Sequence, residues 1–113
     1  HAVIDALLGA AGLGDIGEHF SDTDPRWAGA DSVAMLAEAT RRVREAGWEP
    51  GNVDASVVTD HPKLAPAKAS MQEKLSAAVG APVTVKGRRP EGLGSLGRGE
   101  GVACWAVAVV TRP

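Results

Sequence analysis

Apolar residues open the chain in a helical rhythm: Val3, Ile4, Leu7, Leu8 and Ala11 recur at spacings of three and four. That period places them on one face of a helix over residues 2–13, with a stop near Gly12 or Gly14, where glycine can take the left-handed cap. "DIGEHF" reads as a short helical turn and "SDTDP" as a polar turn whose Ser, Asp and Thr can cap. A second stripe, Val33, Met35, Leu36, Ala39 and Val43, predicts a helix over 31–46. Asp31-Ser32 starts it, Gly47 ends it, and Arg41, Arg42, Arg44 and Glu45 are expected to face water.

The period then changes to two. "NVDASVVTD" alternates Val53, Ala55 and Val57 with polar neighbours and predicts a strand over 52–60. Met71, Leu75 and Val79 mark a helix over 67–79, closed by Gly80, and "PVTVK" a strand over 82–86. The final run, "VACWAVAVVTR" at 102–112, is apolar throughout, which predicts a strand that is central or buried on both faces. The order is α-α-β-α-β-β. Alternating helices and strands of this kind point to an α+β two-layer domain with a mixed sheet and helices on one face. Three strands are few for three helices, so a partner strand is expected, either before His1 or from another subunit.

Composition narrows the function little. The 113 residues suffice for one domain, and 44% apolar with 23% charged content is ordinary for a globular chain. A net charge of −2 gives no global support to a nucleic-acid surface. The apolar stretches are too short and too interrupted to span a bilayer, and the first helix lacks the basic flank of a signal peptide. Cys104 is the only cysteine, which excludes an intrachain disulfide. Its apolar neighbours predict a buried, inert thiol, in keeping with a reducing cytosol.

Four stretches could carry chemistry, each with a plainer alternative. His1 and Asp5 share a helix face, so they are either a metal ligand with a supporting carboxylate or a solvated pair. The acids of "DIGEHFSDTDP" either serve a ligand or cap a surface turn. "HPKLAP", with His61 and Lys63 around Pro62, either offers N–H groups and an ammonium to a phosphate or base edge, or merely joins strand to helix. "KGRRPEGLGSLGRGEG" sets Lys86, Arg88, Arg89 and Arg98 among glycines. It is either an anion cradle or an exposed loop, and it fits neither the P-loop nor the dinucleotide fingerprint.

Taken together, "HAVIDALLGAAGLGDIGEHFSDTDP", "NVDASVV", "HPKLAP" and "EGLGSLGRGEGVAC" resemble the 2-C-methyl-D-erythritol 2,4-cyclodiphosphate synthase family over nearly the whole chain. The resemblance implies a ferredoxin-like, trimer-forming α+β domain of a cytoplasmic lyase in non-mevalonate isoprenoid (terpenoid) biosynthesis, with active sites between subunits. It implies intramolecular phosphoryl transfer: the 2-phosphate of 4-diphosphocytidyl-2-C-methyl-D-erythritol 2-phosphate attacks the β-phosphate and CMP leaves. It also implies Zn2+ held by two His and one Asp, with His1 at the third ligand position, and Mg2+ or Mn2+ bridging the diphosphate. The family's Asp-x-His motif is absent, so residues 1–113 are expected to be a single synthase domain without its N-terminal strands.

By the same resemblance, Asp15, Ile16 and Gly17 contact the methylerythritol unit, and Phe20, Ser21, Asp22, Thr23 and Asp24 line the same side. Thr59, Pro62, Lys63, Leu64 and Ala65 look like the neighbouring subunit's cytidine-holding segment, and Arg98 faces the phosphates. Glu91, Gly94 and Gly97 also match. Arg88 and Arg89 stand where the family has a Thr pair, one of which helps hold the phosphates. Arg89 is therefore either a substitute phosphate clamp or a mark of altered activity, and Ser95 stands where an aromatic residue often faces the trimer axis. The competing function is a trimeric cytidine-nucleotide-binding homologue with impaired turnover. No nucleic-acid or membrane partner is expected.

Overall fold

The computed structural model describes residues 1–113. In chain order the elements are α1 (Ala2–Ala10), α2 (Ile16–His19), α3 (Ser32–Glu45), β1 (Glu49–Val58), α4 (Lys68–Val79), β2 (Val83–Arg88), α5 (Gly94–Gly97) and β3 (Ala103–Thr111).

The long helices form where the apolar stripes fall. Val3, Ile4, Leu7 and Leu8 of α1 are buried, as are Met35, Leu36, Ala39 and Val43 of α3. Both helices stop on a left-handed glycine. At the end of α1, Gly12 has φ 70° and its N–H donates to Gly9, while the Leu13 N–H donates to the Leu8 carbonyl. Gly47 and Trp48 repeat the arrangement after α3, on Arg44 and Val43. Each pair satisfies two carbonyls that the helix itself leaves open. Asp31 caps α3 by accepting from the Val33 N–H.

The sheet is mixed, in the order β2-β1-β3. β1 runs parallel to β2, Val53 opposite Val83 through Val58 opposite Arg88, and antiparallel to β3. Alternate side chains of β1 and β2 (Val53, Ala55, Val83 and Val85) point into the core. α1 packs over β1 and β3, α4 over β2, and α3 bridges the two helices. The helices thus lie on one face, as the alternation predicts.

The other face corrects the reading of the last strand. β3 is an edge strand, and β1 is central. Trp105, Val107 and Val109 are 64%, 70% and 51% exposed on the uncovered face, beside an Asp54–Lys86 ion pair of 2.7 Å. Cys104 is exposed too, not buried. It sits at the start of β3, where an apolar groove lined by Met71, Leu75 and Val57 stays open. Partial desolvation still pushes its thiol pKa up. β2 also runs two residues past the expected end, carrying Arg88 on the strand.

Candidate functional site

Because β1 and β2 are parallel, the loops that leave their C-terminal ends emerge side by side, the usual place for a ligand in a sheet of this kind. Between them lies a cleft of about 380 Å³. Lys63, Lys68, Arg88 and Arg89 line it, with Thr59, Asp60, Leu64 and Ala65. Four cations meet one carboxylate. The lower loop is shaped by Thr59, whose N–H donates to the Arg88 carbonyl at 3.0 Å and whose hydroxyl donates to the His61 carbonyl at 2.6 Å. Leu64 lies over Gly87, where a Cβ would already touch it. Lys68 is the first residue of α4, whose N-cap, Ala67, offers no side-chain acceptor. The open N–H groups of that turn add positive potential beside the cleft.

Asp60 ties the upper loop to the lower. Its Oδ1 accepts from Arg89 Nε at 3.3 Å, and its Oδ2 from the Gly92 N–H at 2.9 Å. The Gly92 N–H and, to a lesser degree, the Arg89 guanidinium and the Glu91 N–H hold the carboxyl below its ordinary pKa. The loop then closes on itself. Gly97 of α5 lies so near Gly92 that a Cβ there would overlap the Gly92 backbone. Glu91 is not among the residues that line the cleft. Arg98 caps α5 and pairs with Glu100, away from the cleft lining.

The acidic turn is built differently. Asp15 caps α2 by accepting from the Glu18 N–H at 3.0 Å, and Asp5 reaches across from α1 to accept from the Ile16 N–H at 3.0 Å. A Cβ added at Gly17 would come within 3.5 Å of the Asp15 carboxylate, an ordinary contact. The Ser21 and Thr23 hydroxyls bond each other at 2.8 Å, and Asp24 pairs with Arg26 at 3.0 Å, which lowers its pKa. Asp22 stays exposed. Phe20 is buried in the core, edge-on to Trp27 with ring centroids 4.7 Å apart. Its ring packs into the core and is not part of the cleft lining. Arg42, expected in water, lies half-buried over that ring, 4.9 Å from its centroid. The His19 ring bonds the Leu13 carbonyl through Nε2 and Arg42 Nη1 through Nδ1. The carbonyl can only accept and the guanidinium only donate, so in this arrangement Nε2 is the donor and Nδ1 the acceptor.

The chain brings Thr59, Lys63, Leu64, Ala65 and Arg89 together. It does not place Asp15, Ile16 or the 20–24 turn in that cleft. His1 lies elsewhere again, in the apolar groove, with Nε2 on the Ser32 hydroxyl at 3.0 Å. No group of three His, Cys, Asp or Glu side chains could hold a metal ion. Taken by themselves, the residues present do not fit a zinc centre.

The YgbB family model matches residues 1–111. A 2-C-methyl-D-erythritol 2,4-cyclodiphosphate synthase of Cupriavidus metallidurans is 55% identical over 99% of this chain and 68% of its own length. This chain belongs to the cyclodiphosphate synthase family. Solved synthase structures agree in fold. The bifunctional IspDF of Campylobacter jejuni superposes with a TM-score of 0.93 at 39% identity, covering 99% of this chain and 31% of that one. A CDP-bound cyclodiphosphate synthase gives 0.86 at 36% identity, over 98% and 73%. Within this synthase chain, sequence reasoning gave no individual role to two cleft residues: Asp60, which lies inside the 59–65 segment it named, and Lys68, which it did not name. Asp60 had a faint signal, a lone acid ending a strand upstream of a basic glycine loop. Lys68 had none, being one lysine among several on a helix.

Proposed function

We propose that the protein converts 4-diphosphocytidyl-2-C-methyl-D-erythritol 2-phosphate to 2-C-methyl-D-erythritol 2,4-cyclodiphosphate and CMP, with residues 1–113 acting as one synthase domain. The observation that carries this is the cationic cleft at the ends of β1 and β2, in a chain of this family. An oxygen of the 2-phosphate forms a bond to the β-phosphorus, the bond from that phosphorus to the CMP oxygen breaks, and CMP departs with the electron pair. Little of this needs covalent help from the protein. The chemistry depends on alignment and on neutralising charge that spreads over the phosphoryl oxygens. Lys63, Lys68, Arg88 and Arg89 supply that charge, and the 59–65 loop supplies the wall for the nucleoside.

The reading extends to a homotrimer of ferredoxin-like subunits. Two features support it: the polyol candidates at Asp15, Ile16 and Gly17 lie outside the cleft of their own chain, and Trp105, Val107 and Val109 leave an apolar face uncovered. The reading calls for that face to pack against other copies, with the acidic turn of one copy serving the cleft of the next. His1 would join a Zn2+ site only with ligands from beyond these residues, and Mg2+ or Mn2+ would accompany the diphosphate. No step above is routed through either ion. The cytoplasm suits this chemistry, and no helix is long and apolar enough to cross a membrane.

Incubation with the diphosphocytidyl substrate, followed by chromatography for CMP and phosphorus NMR for the cyclic diphosphate, tests the reaction. Equal amounts of both are expected. Tight CDP binding with no CMP release would leave the nucleotide-binding homologue as the function. Arg89, standing where the family has Thr, is the observation that favours that second reading. CMP without the cyclic product would mean hydrolysis.

A further inference from the structure

The four cations of the cleft are held in different ways. Lys63 and Lys68 enter no ion pair, and Arg88 donates from Nη1 to its neighbour's carbonyl, Gly87, at 3.0 Å. Arg89 is the one tied to a carboxylate, and only through Nε. Its side chain remains 61% exposed while that of Asp60 is 10% exposed. A guanidinium has two hydrogen-bonding edges, one between Nε and a terminal nitrogen and one between the two terminal nitrogens. Fixing Nε leaves the second edge whole, and that edge is the fork that matches two phosphate oxygens.

Asp60 is suited to this because its own surroundings are fixed. Its other oxygen is held by the Gly92 N–H at 2.9 Å. The loop turns there through two successive left-handed residues, Glu91 at φ 55° and Gly92 at φ 75°, and the second presents its N–H to the carboxylate. Asp60 lines the cleft, but both of its carboxylate oxygens are committed to the loop.

We infer that Asp60 is a positioning residue that pins Arg89 by Nε and presents its terminal fork to a ligand phosphate, so that Arg89 separates phosphorylated from unphosphorylated cytidine ligands. This rests on the nucleotide reading of the cleft. It goes beyond it by giving the discrimination to a pair, Asp60 and Arg89.

Calorimetric titration of cytidine, CDP and inorganic pyrophosphate into the protein and its R89A, R89K, D60N and D60N/R89A variants tests it. R89A is expected to weaken CDP and pyrophosphate about tenfold or more, the size of a lost charge-assisted hydrogen-bond pair, and to leave cytidine unchanged. R89K should not restore the loss, since an ammonium has no fork. D60N should lose part of the phosphate-dependent affinity, and the double variant should be no worse than R89A alone. Unchanged CDP and pyrophosphate affinity in R89A would overturn the inference while leaving the nucleotide reading intact. So would equal losses for cytidine and CDP in D60N, which mark a merely structural tie. Arg89-dependent pyrophosphate binding without preference for cytidine would uphold the pair and remove the nucleotide reading. If the unaltered protein bound none of the three, both would fall.

Discussion

The acidic turn at residues 15–24 and the basic cleft at the ends of β1 and β2 are opposite in charge, but they differ more in what their charges are bound to. In the turn, Asp15 holds a helix end, Asp24 holds Arg26, and Phe20 anchors the whole segment in the core. Its polar groups spend their hydrogen bonds locally, on its own shape. In the cleft, Lys63 and Lys68 are unpaired and Arg89 keeps an edge free, while the one carboxylate serves the loop behind them. Charges satisfied within a segment build structure, and charges left open in a concave site are available to a ligand. Stability should therefore respond to the turn and ligand affinity to the cleft.

The sharpest break of that contrast is Phe20→Ala. It removes a buried ring packed edge-on against Trp27 and should cost about 3–5 kcal/mol in urea unfolding. A cost below about 1 kcal/mol would show that the turn is not anchored as described. Asp15→Ala comes next, at about 1 kcal/mol for a lost cap, and Asp15→Asn should restore most of it because Asn caps as well as Asp. If Asp15→Asn is stable yet inactive in the CMP-release assay, the carboxylate has a ligand role beyond the cap. Lys63→Ala should move stability by less than about 0.5 kcal/mol, as an exposed unpaired side chain does. It should still weaken pyrophosphate binding and make that binding less salt-sensitive. A large loss of stability there would erase the contrast.

A further small effect, one that depends on pH, is expected behind the turn. Glu38 is held at a pKa of about 2, first by Arg41 and then, against some desolvation, by Arg42, which itself braces His19. Because this folded-state pKa lies below the ordinary 4.5, the contribution is complete above pH 4.5 and is lost as pH falls from 4.5 toward 2. Glu38→Gln should flatten that part of the stability–pH curve and cost about half a kcal/mol at pH 7, typical of helix pairs at this spacing. An unchanged acid limb would mean the pairs contribute nothing.

Much of the fold could be read from the chain because its signals are local. The stripes of α1 and α3, the stops at Gly12 and Gly47 and the alternation around Val53 all depend on neighbours within a few residues. β3 was misread because an unbroken apolar run looks the same in a central strand and in an edge strand with an uncovered apolar face. The error carried Cys104 with it. Phe20, which the resemblance sets on the ligand side, has its ring buried instead, and an irregular turn has no period to show which way a ring points. In the site, the lower loop was legible as "HPKLAP". The Asp60–Arg89 tie was not, because residues 29 positions apart meet only through the register that sets Val58 beside Arg88.

Gly97 bears on how variants of this protein should be interpreted. It touches no proposed ligand, yet any side chain there would push on Gly92, whose N–H holds Asp60, which in turn steadies Arg89. In a saturation library scored by growth, position 97 should tolerate almost nothing and be mistaken for a contact site. Because the clash is with the Gly92 backbone and glycine has no side chain to give up, no second substitution at 92 can relieve it.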